Sequence, residues 1–267
     1  MSRTNPSRRS LAAPPRTWRY VPLLAAPGAV QMALDLWLWA QHCQGKCGPV
    51  LRFYTWQPAA ISLGYHQHRY PAAWRNLAWQ GQMVERVRRP TGGRAVLHDG
   101  DLTYAIAHAQ LPGSRQQVYQ QFGAMLIAGW RSLGVELHYG TAGRDDVRAA
   151  NCFALATAAD LVTTEGTKVI GSAQRWQGKA VLQHGSMRLG AGSGLYEQVF
   201  GEPEPPRLAV APAQAIAALK TACQAHFAAK LSEQPLSSLE WQAVQALAAR
   251  IQAGEPPSLS MVTAAGR

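Results

Sequence analysis

Cysteine is scarce in this chain, with four in 267 residues, at positions 43, 47, 152 and 223. So few, so unevenly placed, exclude a disulfide-stapled scaffold and fit a reducing compartment. Cys43 and Cys47 stand four apart beside His42, but no second ligand pair accompanies them, so no metal site is expected. Acid is scarce as well: 15 Asp and Glu face 26 Lys and Arg, for a net charge of +11. No acid precedes Asp35, while Arg3, Arg8, Arg9, Arg16 and Arg19 do. Long apolar runs are missing. The stretch at 34–38 is short and carries Asp35, which argues against a membrane span. Residues 1–19 are rich in Ser, Pro and Arg and lack the apolar core of a secretory signal. They read as a disordered basic tail, with an organelle transit peptide as the alternative, and the expected location is the cytoplasm. No internal repeat or extended low-complexity tract occurs.

What is present is ordinary globular material, 47% hydrophobic and 15% charged, long enough for one domain with a helical appendage. Of the 26 basic residues, 21 are arginine. That excess either steers acidic partners towards the surface or reflects arginine-rich composition plus a basic tail. No recognised motif supports nucleic acid as a partner.

Met32, Leu36 and Trp39 fall at helical spacing and predict a helix over 29–42. Strands are expected at Val50–Trp56 and 60–64, a short helix at 71–80, then strands at 83–88, 94–98 and Leu102–Ala109. Val118, Phe122, Met125, Leu126 and Trp130 mark the buried stripe of a helix over 114–133, stopped by Gly134. A strand at 135–139 and a polar, movable loop at 140–150 follow. The turns Glu165-Gly166 and Gln177-Gly178 punctuate strands at 160–164, 168–176 and 180–184. Helices at 211–231 and 239–253 close the chain after the proline-rich connector at 203–206. The expected class is α/β (α+β), a mixed sheet with packed helices rather than a regular βαβ succession.

The segment 87–104, VRRPTGGRAVLHDGDLTY, holds the densest chemistry. Adjacent glycines let backbone approach a ligand where a Cβ would collide, and Arg88, Arg89 and Arg94 surround that turn with charge suited to a carboxylate or phosphate. A second block runs Lys168-Val169-Ile170-Gly171-Ser172-Ala173-Gln174 and then Gln183-His184-Gly185-Ser186, and a third is Asn151-Cys152-Phe153. Together these blocks resemble, in order, the signature of the lipoate–protein ligase and octanoyltransferase superfamily, most closely its cysteine-dependent octanoyltransferase branch.

The resemblance implies a biotin/lipoate-ligase-like catalytic domain with a largely antiparallel sheet over 20–206, helices packed on it over 207–255, and a tail over 256–267. It implies that Cys152 takes an octanoyl or lipoyl group from acyl carrier protein as a thioester. A lysine of a lipoyl-domain protein, such as glycine cleavage H protein or a dehydrogenase E2, then receives it. Lys168 would favour the thiolate and stabilise the oxyanion. Arg89, Thr91, Gly92, Gly93, Arg94, His98, Gly171, Ser172 and Ala173 would form the acyl site. His98 either lines the pocket, moves protons, or bonds to backbone; His184 reaches the pocket or fills core; Asp99 serves a turn or orients a neighbour. No cofactor is needed in this scheme. The rivals are an ATP-dependent lipoate ligase, which would use ATP with Mg, a lipoyl amidotransferase, and a non-catalytic acyl-protein binder. The Gly-Arg-Gly-Arg loop of biotin ligases is absent around 91–94.

Overall fold

The computed structural model describes residues 16–140 and 160–264. The chain opens with β1 (Arg16–Ala26), α1 (Gly28–Cys43), β2 (Val50–Trp56) and β3 (Ala60–Leu63). A single 3-10 turn (Ala72–Asn76) leads to the short β4 (Ala78–Trp79) and β5 (Gln82–Met83), then β6 (Glu85–Arg88), β7 (Val96–His98) and β8 (Leu102–Ala109). Next come α2 (Arg115–Arg131), β9 (His138–Tyr139), β10 (Leu161–Val162), β11 (Lys168–Gln177), β12 (Ala180–Met187) and α3 (Leu195–Phe200). The last elements are α4 (Pro212–His226), β13 (Ala229–Glu233), α5 (Ser238–Gln252) and α6 (Leu259–Ala264).

Eight strands form the main sheet in the order β13-β1-β2-β8-β12-β11-β10-β9. β13, β1 and β2 run parallel, and every pairing beyond β2 is antiparallel. The fold is therefore the mixed, largely antiparallel α/β arrangement expected. A smaller sheet, β6-β3-β7, and the β4–β5 hairpin complete it.

The helix stripes behave as their spacing dictates. Val118, Phe122, Met125, Leu126 and Trp130 of α2 all lie in the core on one face of the main sheet, with Leu219 and Cys223 of α4 beside them. Ser114 starts α2 with a capping box shared with Gln117, satisfying end donors that the helix itself leaves open. Met32, Leu36 and Trp39 of α1 are buried on the other face with Val244, Leu247 and Ile251 of α5.

Several expectations change. The strand Arg16–Ala26 was not anticipated, and its first four residues fall inside the segment 1–19 read as a tail. They pair with β13 in register Arg16↔Ala229 to Arg19↔Ser232, and Trp18 is buried against Phe227 and His108. The helix expected over 211–231 stops at His226, because Ala228 takes a positive φ and the chain turns into β13 as an edge strand. The segment 207–255 thus adds a strand to the sheet as well as helices. The helix over 71–80 reduces to one 3-10 turn and a hairpin. Residues 259–264 form α6, where a tail was expected, and α3 was missed. No described helix is long and apolar enough to cross a membrane.

Candidate active site

A cleft with about 430 Å³ of free volume, partly open to solvent, lies between the α1 face of the main sheet and the small sheet. Strand register builds its floor. Gly171, Ser186, Thr103 and Tyr54 stand in one cross-strand row spanning β11, β12, β8 and β2, and all four line the cleft. Three interstrand steps make that row roughly 14 Å long. Ser62, Val96 and His98 face it from the small sheet, Arg89, Gly92 and Gly93 from the preceding turn, and Met32 from α1. Close backbone approach is required here. A Cβ on Gly64 would fall 1.8 Å from the Gly93 carbonyl oxygen, and one on Gly185 would fall 2.5 Å from Ser172 Oγ.

The wall carries many polar side chains, yet each has an internal partner. His98 donates from Nδ1 to Asp101 Oδ2 at 2.8 Å and accepts at Nε2 from Ser62 Oγ at 2.8 Å. Asp101 Oδ2 also accepts from Ser186 Oγ and Thr103 Oγ1, and Thr103 Oγ1 in turn accepts from Trp56 Nε1. The Trp56 ring stacks on His98, centroids 3.7 Å apart. A second chain runs from Thr91 Oγ1 to His184 Nε2 at 2.6 Å, and from His184 Nδ1 to Asp35 Oδ2 at 2.8 Å. Tyr54 donates to the same carboxylate, and Arg52 lies against its other oxygen while donating to Gln31. Ser172 bonds Tyr104, whose hydroxyl also accepts from Gln183. Most of these polar atoms meet one another, although Asp35 Oδ1, Asp101 Oδ1, Arg52 Nε and Arg52 Nη1 are buried without a hydrogen bond, and the cleft offers a ligand mostly carbon surface.

The electrostatics agree with that arrangement. Burial alone would raise the Asp101 carboxyl, but the adjacent His98 ring and the hydrogen bonds from His98, Ser186 and Thr103 outweigh it and hold the group below the usual carboxylate range. Burial lowers His184, against the opposing pull of Asp35, so its ring is neutral near pH 7 and its Nε2 free to accept from Thr91. Burial also pushes the Tyr104 hydroxyl up to about 12, which removes it as a proton donor or base at neutral pH. Ser62, His98 and Asp101 have the connectivity of a serine nucleophile's triad. Ser62, however, sits within the middle strand of the small sheet, paired to Val87 on one side and Val96 on the other, so the surrounding backbone donors serve the ladder rather than an oxyanion.

Most residues expected at the site come together. Arg89, Gly92, Gly93, His98, Gly171, Ser172 and Ala173 line the cleft. Thr91 is buried behind it, tying the turn to β12 through His184. Arg94 is absent from the lining residues, and its carbonyl accepts from Arg89. The Arg89 guanidinium folds inward onto Ser62, Gly92 and Arg94, and Arg88 binds the carbonyls of Gly64, Tyr65 and Gln67, so both arginines brace the turn. His98 bonds to side chains, not to backbone. Asp99 orients nothing in the cleft: it turns away to Ser193 and Arg207. Lys168 is buried at the start of β11 with its ammonium 2.9 Å from Asp160. Cys152 and the segment after Gly140 expected to be a loop lie outside the described residues. The three described cysteines are poor nucleophiles, since burial raises the thiols of Cys43 and Cys47 and takes Cys223 to about 12. Among the described residues no group of three or more His, Cys, Asp or Glu could hold a metal ion.

Sequence reasoning missed Ser62, Asp101, Trp56, Tyr54, Met32 and Asp35. Two of these left a signal. Asp101 follows His98 by three across Gly100, whose φ of +75° folds the turn back. Asp35 is a lone acid within an apolar helix, a residue type rarely buried without a partner.

The fold is that of an α+β protein whose cleft exposes mostly carbon surface between the main sheet and the small sheet. A family model described as the lipoyl protein ligase A/B catalytic domain matches residues 27–223, and the chain belongs to that family. It is 36% identical over 195 residues to octanoyltransferase LipM of Bacillus subtilis (strain 168), the match covering 65% of this chain and 66% of that protein. It is 34% identical over 197 residues to octanoyltransferase LipM of Geobacillus kaustophilus (strain HTA426), covering 70% of each. The chain thus spans about two thirds of the length of these relatives. Among solved structures, lipoate-protein ligase A bound with ATP superposes with a TM-score of 0.68 at 20% identity, covering 92% of this chain and 99% of the other. A bi-partite lipoate protein ligase from Thermoplasma acidophilum, described with its E2 lipoyl domain, gives 0.67 at 18%, covering 92% and 97%. Both share the fold.

Proposed function

We propose that this protein is an octanoyltransferase of the cytoplasm that moves an octanoyl group from an acyl carrier protein thioester to a lysine of a lipoyl-domain protein. The observation that carries the reading is the cleft itself, whose exposed surface is mostly carbon and whose floor ends at the β11 residues Gly171, Ser172 and Ala173. An extended eight-carbon chain, roughly 10 Å from bonds of about 1.5 Å, fits a floor of that length. Each methylene it buries contributes about 0.8 kcal/mol.

In the scheme, the Cys152 thiolate attacks the thioester carbonyl, the carrier thiol leaves, and the acyl group rests on Cys152. The neutral amine of the acceptor lysine then attacks, an amide forms, and the cysteine sulfur leaves to be ready again. Thioester exchange is near balance and amide formation runs downhill, so the scheme requires no ATP and no other cofactor. Lys168 supplies positive charge for the thiolate and for the developing oxyanion, and its pairing with Asp160 holds the ammonium at one place. The Arg-braced Thr-Gly-Gly turn and His98 shape the acyl site. Glycine cleavage H protein and dehydrogenase E2 are the acceptor classes the chemistry suits.

The test is to incubate the full chain with octanoyl carrier protein, without ATP or acceptor, and record the intact mass. Gain of one octanoyl group, released by thioester-selective cleavage and lost in Cys152→Ser, is the expected result. No adduct, together with modification of a lipoyl domain from free octanoate plus ATP, would overturn it in favour of a ligase.

A further inference from the structure

At the turn of the β11–β12 hairpin, apart from the cleft, lies a groove with about 1050 Å³ of free volume, partly open to solvent. The loop after β8 lines it with Gln110 and Leu111, the start of α2 with Arg115, and the hairpin with Trp176 and Lys179. Its walls are tied together. The Gln110 N–H donates to the Lys179 carbonyl at 3.1 Å, and Leu111 and Trp176 pack on the core. Arg115 lies over the Trp176 ring, 5.6 Å from its centroid. Arg115 and Lys179 are exposed, and neither pairs with a carboxylate among the described residues. No acid occurs at 102–135 or 166–196, the two stretches that supply every lining residue. The groove is a basic concavity around one half-buried indole.

Strand β11 joins this groove to the cleft. Trp176 stands three residues beyond Ala173, about 10 Å along the strand. Its Nε1, which can only donate, bonds Gln174 Oε1 at 2.9 Å. Gln174 Nε2 donates in turn to Gln183 Oε1 at 2.7 Å, and Gln183 Nε2 to the Tyr104 hydroxyl at 2.6 Å. Tyr104 then bonds Ser172, at the end of the cleft floor. Side chains alternate along a strand, so Trp176 faces the α2 side of the sheet while Gly171 and Ala173 face the cleft.

We propose that this groove is the docking site for an acidic face of the carrier protein that delivers the acyl thioester. This rests on the acyl-transfer reading of the cleft. Reach separates the donor from the acceptor. A lysine side chain extends about 6 Å from its backbone, so an acceptor domain must sit against the cleft itself. A thioester on a long flexible arm has no such limit. Its carrier can dock at the hairpin and leave the cleft to the acceptor. Carboxylates of the carrier pair with Arg115 and Lys179, and Trp176 is the aromatic anchor between them.

The experiment compares octanoyl carrier protein with octanoyl-pantetheine, which bears the same thioester and no protein, as acyl donors for the full chain. The adduct is followed by intact mass, and binding of the unacylated carrier by calorimetry. Arg115→Glu combined with Lys179→Glu is expected to weaken carrier binding at least about tenfold and raise the donor KM to match. The rate with octanoyl-pantetheine is expected to stay unchanged. Arg115→Ala and Lys179→Ala should each weaken carrier binding about two- to fivefold. Added salt should weaken carrier binding by the parent more steeply than by the double variant. Carrier affinity within twofold of the parent in a folded double variant would sink the proposal. Equal loss with both donors would also sink it, because the fault would then lie in the cleft. Weaker binding of a lipoyl-domain acceptor in place of the carrier would overturn it and give the groove to the acceptor. If the double variant loses carrier binding while neither donor ever forms an adduct, the docking site stands and the transfer reading falls. If the parent neither binds carrier nor forms an adduct, both are overturned.

Discussion

The two faces of the main sheet solve burial in opposite ways. Under α2 and α4, Trp18, Tyr20, Leu51, Phe53 and Ile106 meet Phe122, Leu126 and Trp130 in an apolar core. Under α1, the same sheet buries Arg52, Thr103, His184 and Ser186 together with Gln31 and Asp35 of the helix. The first face gains stability from area removed from water. The second commits its hydrogen bonds to fixed partners and leaves a cleft. A sheet can be core on one side and site on the other because successive side chains point to opposite faces, and the shared register aligns both.

The largest expected effect lies at Lys168, the residue proposed to stabilise the thiolate and the oxyanion. Lys168→Met should lower acyl transfer by at least about a hundredfold, the size associated with losing an oxyanion-stabilising group. It also leaves Asp160 buried without its ammonium, costing about 3–5 kcal/mol. The double variant Asp160→Asn with Lys168→Met separates the two: urea unfolding should recover most of the stability while single-turnover transfer stays low. Recovery of transfer in the double variant would break the assignment of Lys168.

Next come paired substitutions on the two faces. Phe122→Ala should destabilise by about 3–5 kcal/mol through the cavity it leaves, and Asp35→Ala by a similar amount through the unpaired charge of Arg52. Only Asp35→Ala also frees His184, and with it Thr91 and the Gly92-Gly93 turn, so transfer per folded molecule should fall about tenfold, the cost of misplacing a reacting group slightly. Equal activity in the two variants, measured well below their unfolding midpoints, would show that the buried network does not position the turn.

Acid should weaken both faces. Burial and the nearby His42 lower His108, on the core face, to about 4, and burial lowers His184 on the cleft face. Both rings are neutral when folded, whereas the unfolded chain takes up the proton near pH 6.5. Stability is therefore complete above that value and declines as pH falls, for His108 through the window from 6.5 to about 4, by up to about 3 kcal/mol. Asp101 works lower down: its folded value is depressed, so its contribution is present above the usual carboxylate range and is lost only as pH falls beneath it. His108→Phe should flatten the decline between pH 6.5 and 4.5 in urea titrations. An unchanged slope would remove His108 from the account.

The apolar face was legible in the sequence because its information is local. The stripe on α2 repeats every three or four residues and needed nothing beyond its own helix. The cleft was legible only where motif blocks name it, at Arg89, Gly92, Gly93, His98 and Gly171 to Ala173. Its deeper wall was not. The pair Asp35–His184 spans 149 positions, Thr91–His184 spans 93, and Ser186–Asp101 spans 85, so no window contains both partners. The edge of the sheet was hidden for a related reason. β13 is five residues long and follows helix-forming sequence, and only β1, more than 200 residues earlier, makes it a strand.

The mildest test reaches the joint between the faces, where α1 begins. No side chain of its own caps this helix; instead Glu85 of β6 accepts from the Gly28 and Ala29 N–H groups at 2.5 and 2.8 Å. A carboxylate there satisfies two end donors and meets the positive end of the helix dipole. Glu85→Gln keeps the shape and one acceptor but removes the charge, so a loss of about 1 kcal/mol is expected. Because Gly28 also packs on Trp56, a small change at this joint should reach the cleft as well. Hydrogen exchange should speed up in the first turn of α1 and at the end of β2, and stay unchanged in α2. Faster exchange in α2 as well would mean that the two faces loosen together and that the joint does not separate them.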